Sequence, residues 1–147
     1  MTASNKVEVA IAIIHQNGQF LMQLRDDLPN IIFPGHWGFF GGHIEPGEDA
    51  PTGMRRELKE EIGHIPEPLT LFERTENDRV IRHFYQAELT IPMQQLQLNE
   101  GQDMGLCSPE DVRRGYMYSP NVGEDRPLGD PHQQALLKFI AQPKFSN

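Results

Sequence analysis

Three glutamates, Glu57, Glu60 and Glu61, stand at i, i+3 and i+4 in the stretch GGHIEPGEDAPTGMRRELKEEIG that runs from Gly41 to Gly63. In a helix successive residues turn by about 100°, so the three carboxylates share one sector. Met54, Leu58 and Ile62 line the adjacent sector and are placed to face a core. Crowded carboxylates raise one another's pKa, and like charges at this spacing weaken a helix. A divalent cation removes both costs. Mg²⁺ and Mn²⁺ prefer hard oxygen ligands, and Mg²⁺ is commonly held by a few carboxylates together with water and substrate phosphates. Such an ion attracts phosphate oxygens, lowers the pKa of a bound water and can bridge an attacking water to a phosphoryl group. Gly41-Gly42 leaves the backbone free to turn a carbonyl toward the ion. Arg56, next to Glu57, is placed to hold a carboxylate or to stabilise charge on a transferring phosphoryl group. The plainer account of two or three glutamates on a helix is a solvated acidic face, and the spacing alone leaves both accounts open.

The elements that must position these groups are legible around them. Asp49 is an N-cap for the glutamate helix, Pro51 suits its first turn, and Gly63 stops it before Pro66 and Pro68. Gly53 inside it is a weak point, worth about 1 kcal/mol against Ala. Val7–Ile14 and Phe20–Leu24 read as a strand pair about the Asn17-Gly18 turn, after a loose leader over residues 1–6. Residues 26–34 form a loop whose Ile31-Ile32-Phe33 triplet anchors it, and Trp37–Phe40 is a short strand framed by glycines. Further strands are expected over Leu69–Thr75 and Val80–Ile91, and an acidic loop over Asn99–Asp103. A capped short helix follows at Ser108–Asp111, then a non-periodic Pro/Gly/Asp-rich loop over Tyr116–Pro131 and a final amphipathic helix over His132–Ala141. Strands on both sides of a central helix, closed by a last helix, give an α/β chain with a mixed sheet between helices.

Composition sets the outer limits. The chain has 147 residues, room for one domain with a full core. Thirteen Lys and Arg against 21 Asp and Glu give a net charge of −8, which argues against a duplex nucleic-acid or anionic-membrane surface. A small anionic ligand stays compatible, because a bound cation reverses the local sign. One cysteine, Cys107, cannot make an internal disulfide, so a reducing, cytoplasmic location is expected. No stretch reaches the apolar length of a membrane span. A homodimer is compatible with the sequence.

Gly42, Glu48, Arg56, Glu57, Glu60, Glu61 and Gly63, with apolar Leu58, match the Nudix box G-x₅-E-x₇-R-E-U-x-E-E-x-G-U, save that His64 takes the last aliphatic place. Seven fixed letters arise by chance in a chain of this length less than roughly once in a million. The FLMQLRD strand, the WGFFGGHIEPGE approach and the EGQDM…SPEDV segment extend the likeness, so the chain as a whole resembles a MutT-like Nudix hydrolase. That resemblance implies an α/β/α sandwich with a central mixed sheet and a Mg²⁺- or Mn²⁺-dependent enzyme. It also implies a substrate in which a nucleoside diphosphate is linked to another moiety, cleaved by water attack on phosphorus. Carried over residue by residue, it makes Glu57, Glu60 and Glu61 metal ligands, with Gly42 giving a backbone carbonyl. Glu48 sits behind them or binds through water, and Arg56 orients a glutamate. The general base is a box glutamate or an acidic residue of a later loop, for which Glu100 and Asp103 are the candidates.

Substrate choice is set elsewhere. Phe40 stands where many relatives have proline, no proline marks the ADP-ribose pyrophosphatase group, and Tyr85 lies beyond the tyrosine position of dinucleoside polyphosphate hydrolases. Arg25 for phosphate, Phe39 and Tyr85 for base stacking, and Gly41 and His43 on either side of Gly42 form the substrate-side set. Strand aromatics are more often core, and an arginine on a sheet is as often solvated. The histidines fit no compact zinc motif, and Cys107, without a histidine partner, reads as packing. A nucleoside triphosphate, a nucleotide sugar or an ADP-ribose-like molecule fits the resemblance. The alternatives are a non-catalytic Nudix-fold module that senses a nucleotide or binds a partner, and a diphosphate isomerase.

Overall fold

A computed structural model describes residues 6–31 and 33–143. In chain order the strands and helices are β1 (Val7–Gln16), β2 (Gln19–Leu24), β3 (Trp37–Gly38), β4 (Phe40–His43), α1 (Ala50–Ile62), β5 (Thr70–Glu76) and β6 (Val80–Glu88). After a 3-10 turn at Met93–Gln95 come β7 (Asp103–Cys107), α2 (Pro109–Arg114), β8 (Tyr116–Ser119), β9 (Glu124–Pro127) and α3 (Asp130–Ile140). Two compact units share the chain. One takes it up to Ile14 and again from Phe40 to Gln97, and the other takes His15–Phe39 and the chain from Leu98 onward. No described helix is long and apolar enough to cross a membrane.

In the first unit β1 pairs antiparallel with β4, setting Ala10 opposite Gly42 and Ile11 opposite Gly41. Ala10, Ala12, Ile13 and Ile14 are fully buried. Helix α1 starts on Asp49, whose Oδ1 accepts from the Thr52 N–H at 2.9 Å, and stops on Gly63 in the left-handed conformation at φ 70°. Met54, Leu58 and Ile62 form its buried stripe as the sequence implies, joined by Gly53 and by Glu61. Strands β5 and β6 form a hairpin closed by Asn77, whose side-chain oxygen accepts from the Arg79 and Val80 N–H groups. Strand β6 ends at Glu88, short of the expected Ile91, ahead of Pro92, which has no N–H to add to a ladder.

In the second unit β2 pairs antiparallel with β3 on one side and β7 on the other, and Phe20, Leu21, Met22 and Leu24 are fully buried. The Asn17-Gly18 turn has φ 52° and 78°, the paired positive values of a tight hairpin turn. Asp103 opens β7 rather than closing a loop. Asp and Gly in that strand, DMGLC, hide its character, since both are poor strand formers. The Tyr116–Pro131 stretch is likewise no structureless loop: β8 and β9 pair from Tyr116 opposite Pro127 to Ser119 opposite Glu124, and α3 begins two residues before the expected His132. Four-residue strands offer too few repeats for periodicity to show. Part of the expected leader and Ile32 of the loop anchor lie outside the described residues.

Candidate active site

The site builds up from two glycines. At Gly41 φ is 149°, and a Cβ there would lie 2.1 Å from the Ala10 carbonyl oxygen, so strand β4 reaches β1 only without a side chain. The Gly41 N–H donates to Glu61 Oε1 at 2.9 Å, and Glu61 is only 3% exposed. At Gly42 a Cβ would lie 2.6 Å from Glu57 Oε1, so the Glu57 carboxylate occupies the space that a side chain would take. Two carboxylates one helical turn apart on α1 thus flank a Gly-Gly backbone. Glu60, between them in sequence, projects outward with its side chain 60% exposed.

Arg56 ties the rest together. Its Nε and Nη2 donate to the two oxygens of Glu48 at 2.8 and 3.0 Å, the fork-on-fork geometry that arginine favours. Nη1 donates to Glu57 Oε1 at 3.1 Å, and Nη2 also donates to the His43 carbonyl at 3.0 Å. Glu60 and Glu45 lie at 3.6 and 3.7 Å. The Arg56 bond, then the Glu45 N–H, pulls the Glu48 carboxyl down to about 2, while the Glu48 bond, against burial and with the Glu57 bond, raises Arg56. Gly53 is no defect here: a Cβ on it would come within 2.9 Å of Glu48 Oε1, so the glycine makes room for the Glu48 carboxylate.

A hard divalent cation fits this donor set. Among the described residues no three carboxylate, imidazole or thiolate side chains close into a cage. Mg²⁺ seldom uses one, taking one or two carboxylates and completing its shell with water and phosphate oxygens. Glu57 and Glu61 on the Gly41-Gly42 backbone supply that kind of open, all-oxygen edge.

The first unit brings together Gly41, Gly42, His43, Glu48, Arg56, Glu57, Glu60 and Glu61 of the expected residues. Tyr85 is buried there, and burial, then the Asp49 charge, raises its hydroxyl against the pull of Arg55. In the second unit Arg25 has its Nε buried without a hydrogen-bond partner, and its carbonyl accepts from Gln102. Phe39 is buried, its ring edge-on to His132 at 5.1 Å. Glu100 is exposed. Asp103, 7% exposed, accepts from Ser119 Oγ at 2.6 Å, Met104 N–H at 2.8 Å and Asn121 N–H at 3.3 Å. Burial, then the Asp111 charge, pushes the Cys107 thiol up to about 12 despite Arg114, which suits packing. Sequence reasoning missed Ser119 and Gln23 as buried polar groups; neither lies in a motif that would have flagged it.

Comparison with known proteins gives the class of this α/β chain, whose glutamate helix flanks a Gly-Gly strand. The family model for the NUDIX domain matches residues 4–128. The CTP pyrophosphohydrolase of Escherichia coli (strain K12) is 32% identical over 125 residues, covering 83% of this chain and 87% of that protein. The nucleoside triphosphatase NudI of Escherichia coli O1:K1 / APEC is 38% identical over 68 residues, a local match covering 46% of this chain and 45% of that one. The crystal structure of a MutT NUDIX hydrolase from Burkholderia pseudomallei superposes with a TM-score of 0.68 at 19% identity, covering 90% of this chain and 96% of that one. This chain belongs to the Nudix family, has its α/β fold, and is a pyrophosphohydrolase.

Proposed function

We propose that this enzyme cleaves a phosphoanhydride bond of a nucleoside triphosphate by water attack on phosphorus, with Mg²⁺ or Mn²⁺ as its cofactor. The observation that carries the reading is the pair of carboxylates, Glu57 and Glu61, seated on the Gly41-Gly42 backbone. Two relatives whose names state action on nucleoside triphosphates or CTP support the substrate class. Nucleotide sugars and ADP-ribose-like molecules offer the same bond.

Glu57, Glu60 and Glu61 would hold the cation with the Gly42 carbonyl, and Glu48 stands behind them. When bound, the cation supplies positive charge to the phosphate oxygens and makes a bound water more acidic. Arg56 orients Glu48 and Glu57, and the Gly41 N–H orients Glu61. For the proton of the attacking water we assign a box glutamate. Of the later-loop candidates Glu100 is exposed, whereas the Asp103 oxygens already accept from Ser119, Met104 and Asn121. On the substrate side we assign Arg25 to phosphate and Phe39 and Tyr85 to the base, with Gly41 and His43 on either side of Gly42 in sequence.

The test is a panel of normal and oxidised nucleoside triphosphates, nucleotide sugars and ADP-ribose, assayed with Mg²⁺ or Mn²⁺ at neutral to mildly alkaline pH with product identification. A triphosphate turned over to a nucleoside monophosphate plus pyrophosphate is the expected result. Glu57→Gln and Glu61→Gln lower that rate by orders of magnitude while the protein stays folded. No turnover of any compound, or wild-type rates in both variants, overturns the proposal.

A further inference from the structure

Within the second unit, β2 pairs with β7 as far as Leu24 opposite Asp103, and there the two backbones part. The parting is built in. At Gly101 φ is 91°, and a Cβ would lie 2.7 Å from the Leu24 carbonyl oxygen and 2.9 Å from Gln23 Oε1, so the chain turns where only glycine fits. The Gln102 N–H still reaches the Leu24 carbonyl at 2.7 Å. For the next carbonyl, that of Arg25, the donor is a side chain, Gln102 Nε2 at 2.9 Å. On its other flank the Arg25 N–H donates to the His36 carbonyl at 2.9 Å. The Arg25 backbone is thus gripped from both sides one residue past the end of its strand.

Gln102 is itself fastened. Its carbonyl accepts from Asn121 Nδ2 at 3.1 Å. The Asn121 N–H and Ser119 Oγ both donate to Asp103 Oδ2, at 3.3 and 2.6 Å. Ser119 Oγ accepts from the Val122 N–H at 3.2 Å, and the Ser119 carbonyl accepts from the Gly123 N–H at 2.7 Å. Ser119 is fully buried and Asp103 nearly so. A carboxylate is tolerated inside when its oxygens are occupied, and hydroxyl and backbone donors of the β8–β9 turn occupy these. The Arg25 side chain is in the opposite condition, for its Nε is buried with no hydrogen-bond partner among the described residues. Buried polar groups are nearly always paired. A firmly held residue with an unmatched cationic donor is organised in advance for an anionic acceptor.

We propose that Gln102 is a positioning residue that sets Arg25 for a substrate phosphate, and that Asp103, through Asn121, holds Gln102 in place. The proposal rests on the assignment of Arg25 to phosphate made above. Because Gln102 grips Arg25 in ground state and transition state alike, its loss appears in KM rather than in kcat.

Two variants test it, Gln102→Leu, which removes the donor, and Gln102→Glu, which sets an acceptor against the Arg25 carbonyl. Each is expected to raise KM for the triphosphate by about three- to tenfold, the span of one net hydrogen bond, with kcat nearly unchanged. Both should also speed solvent exchange of the Arg25 Nε–H, read by nitrogen-15 NMR without substrate or metal. In an Arg25→Gln background neither raises KM further, since the residue through which Gln102 acts is gone. Wild-type KM and Nε–H exchange in both folded variants overturn the proposal, as does a loss confined to kcat or an equal further rise in the Arg25→Gln background. If Arg25→Gln keeps the wild-type KM, the phosphate assignment falls, and Nε–H exchange still decides whether Gln102 holds Arg25.

Discussion

Arg56 donates to Glu48, Glu57 and the His43 carbonyl, with Glu60 and Glu45 just beyond. A lysine carries the same charge but lacks the planar fork, so it cannot make the paired bonds to Glu48. The pairing has a pH signature. Glu48 is held at about 2 against an ordinary 4.5. A carboxyl depressed in the folded state contributes stability that is fully present above its unfolded pKa and is lost as pH falls through its folded one. Its contribution is therefore complete above 4.5 and disappears on acidification toward 2. Thermal midpoints of wild type and Glu48→Gln, measured across that window, should differ most at its upper end and converge at its lower end. A constant gap would show that Glu48 takes no part in acid unfolding.

At the scale of the element, α1 is a helix whose ends and buried stripe were legible and whose Gly53 was not. The Asp49 cap, Pro51 and the Gly63 stop are local signals, and each does what its position implies. Gly53 shows the limit. Helix propensity alone makes Gly53→Ala a gain of about 1 kcal/mol. The added Cβ would meet Glu48 Oε1 at 2.9 Å and Ile44 Cγ1 at 3.3 Å. The expected outcome is thus a lower thermal midpoint together with reduced turnover, because displacing Glu48 loosens Arg56. A rise of several degrees with full activity would mean that the carboxylate moves aside freely. The same logic explains β8 and β9: their pairing partners, not their own pattern, make them strands.

For the whole molecule, the glutamate cluster sits in a chain already at −8, so folding without a counter-ion keeps like charges close. A cation that binds only the folded state raises stability by mass action, about 2.7 kcal/mol at a hundredfold excess over its dissociation constant. Mn²⁺ or Mg²⁺ should raise the thermal midpoint, a chelator should reverse the rise, and Glu57→Gln with Glu61→Gln should shrink it. An unchanged midpoint in saturating Mn²⁺ would argue against these carboxylates as ligands.

The sequence by itself determined the family, along with the helix caps, the Asn17-Gly18 turn and the buried stripe of α1. All of these are written at short spacing within one element, where periodicity and capping rules act. Only the tertiary structure decided why Gly41 yields to the Ala10 carbonyl, Gly42 to Glu57 and Gly53 to Glu48. It also decided that Asp103 answers to Ser119 and that Gln102 holds a carbonyl 77 residues away. The physical reason is the same in each case. A contact between distant parts of a chain leaves no spacing to read, and a glycine does not say whose atoms will fill the space it leaves.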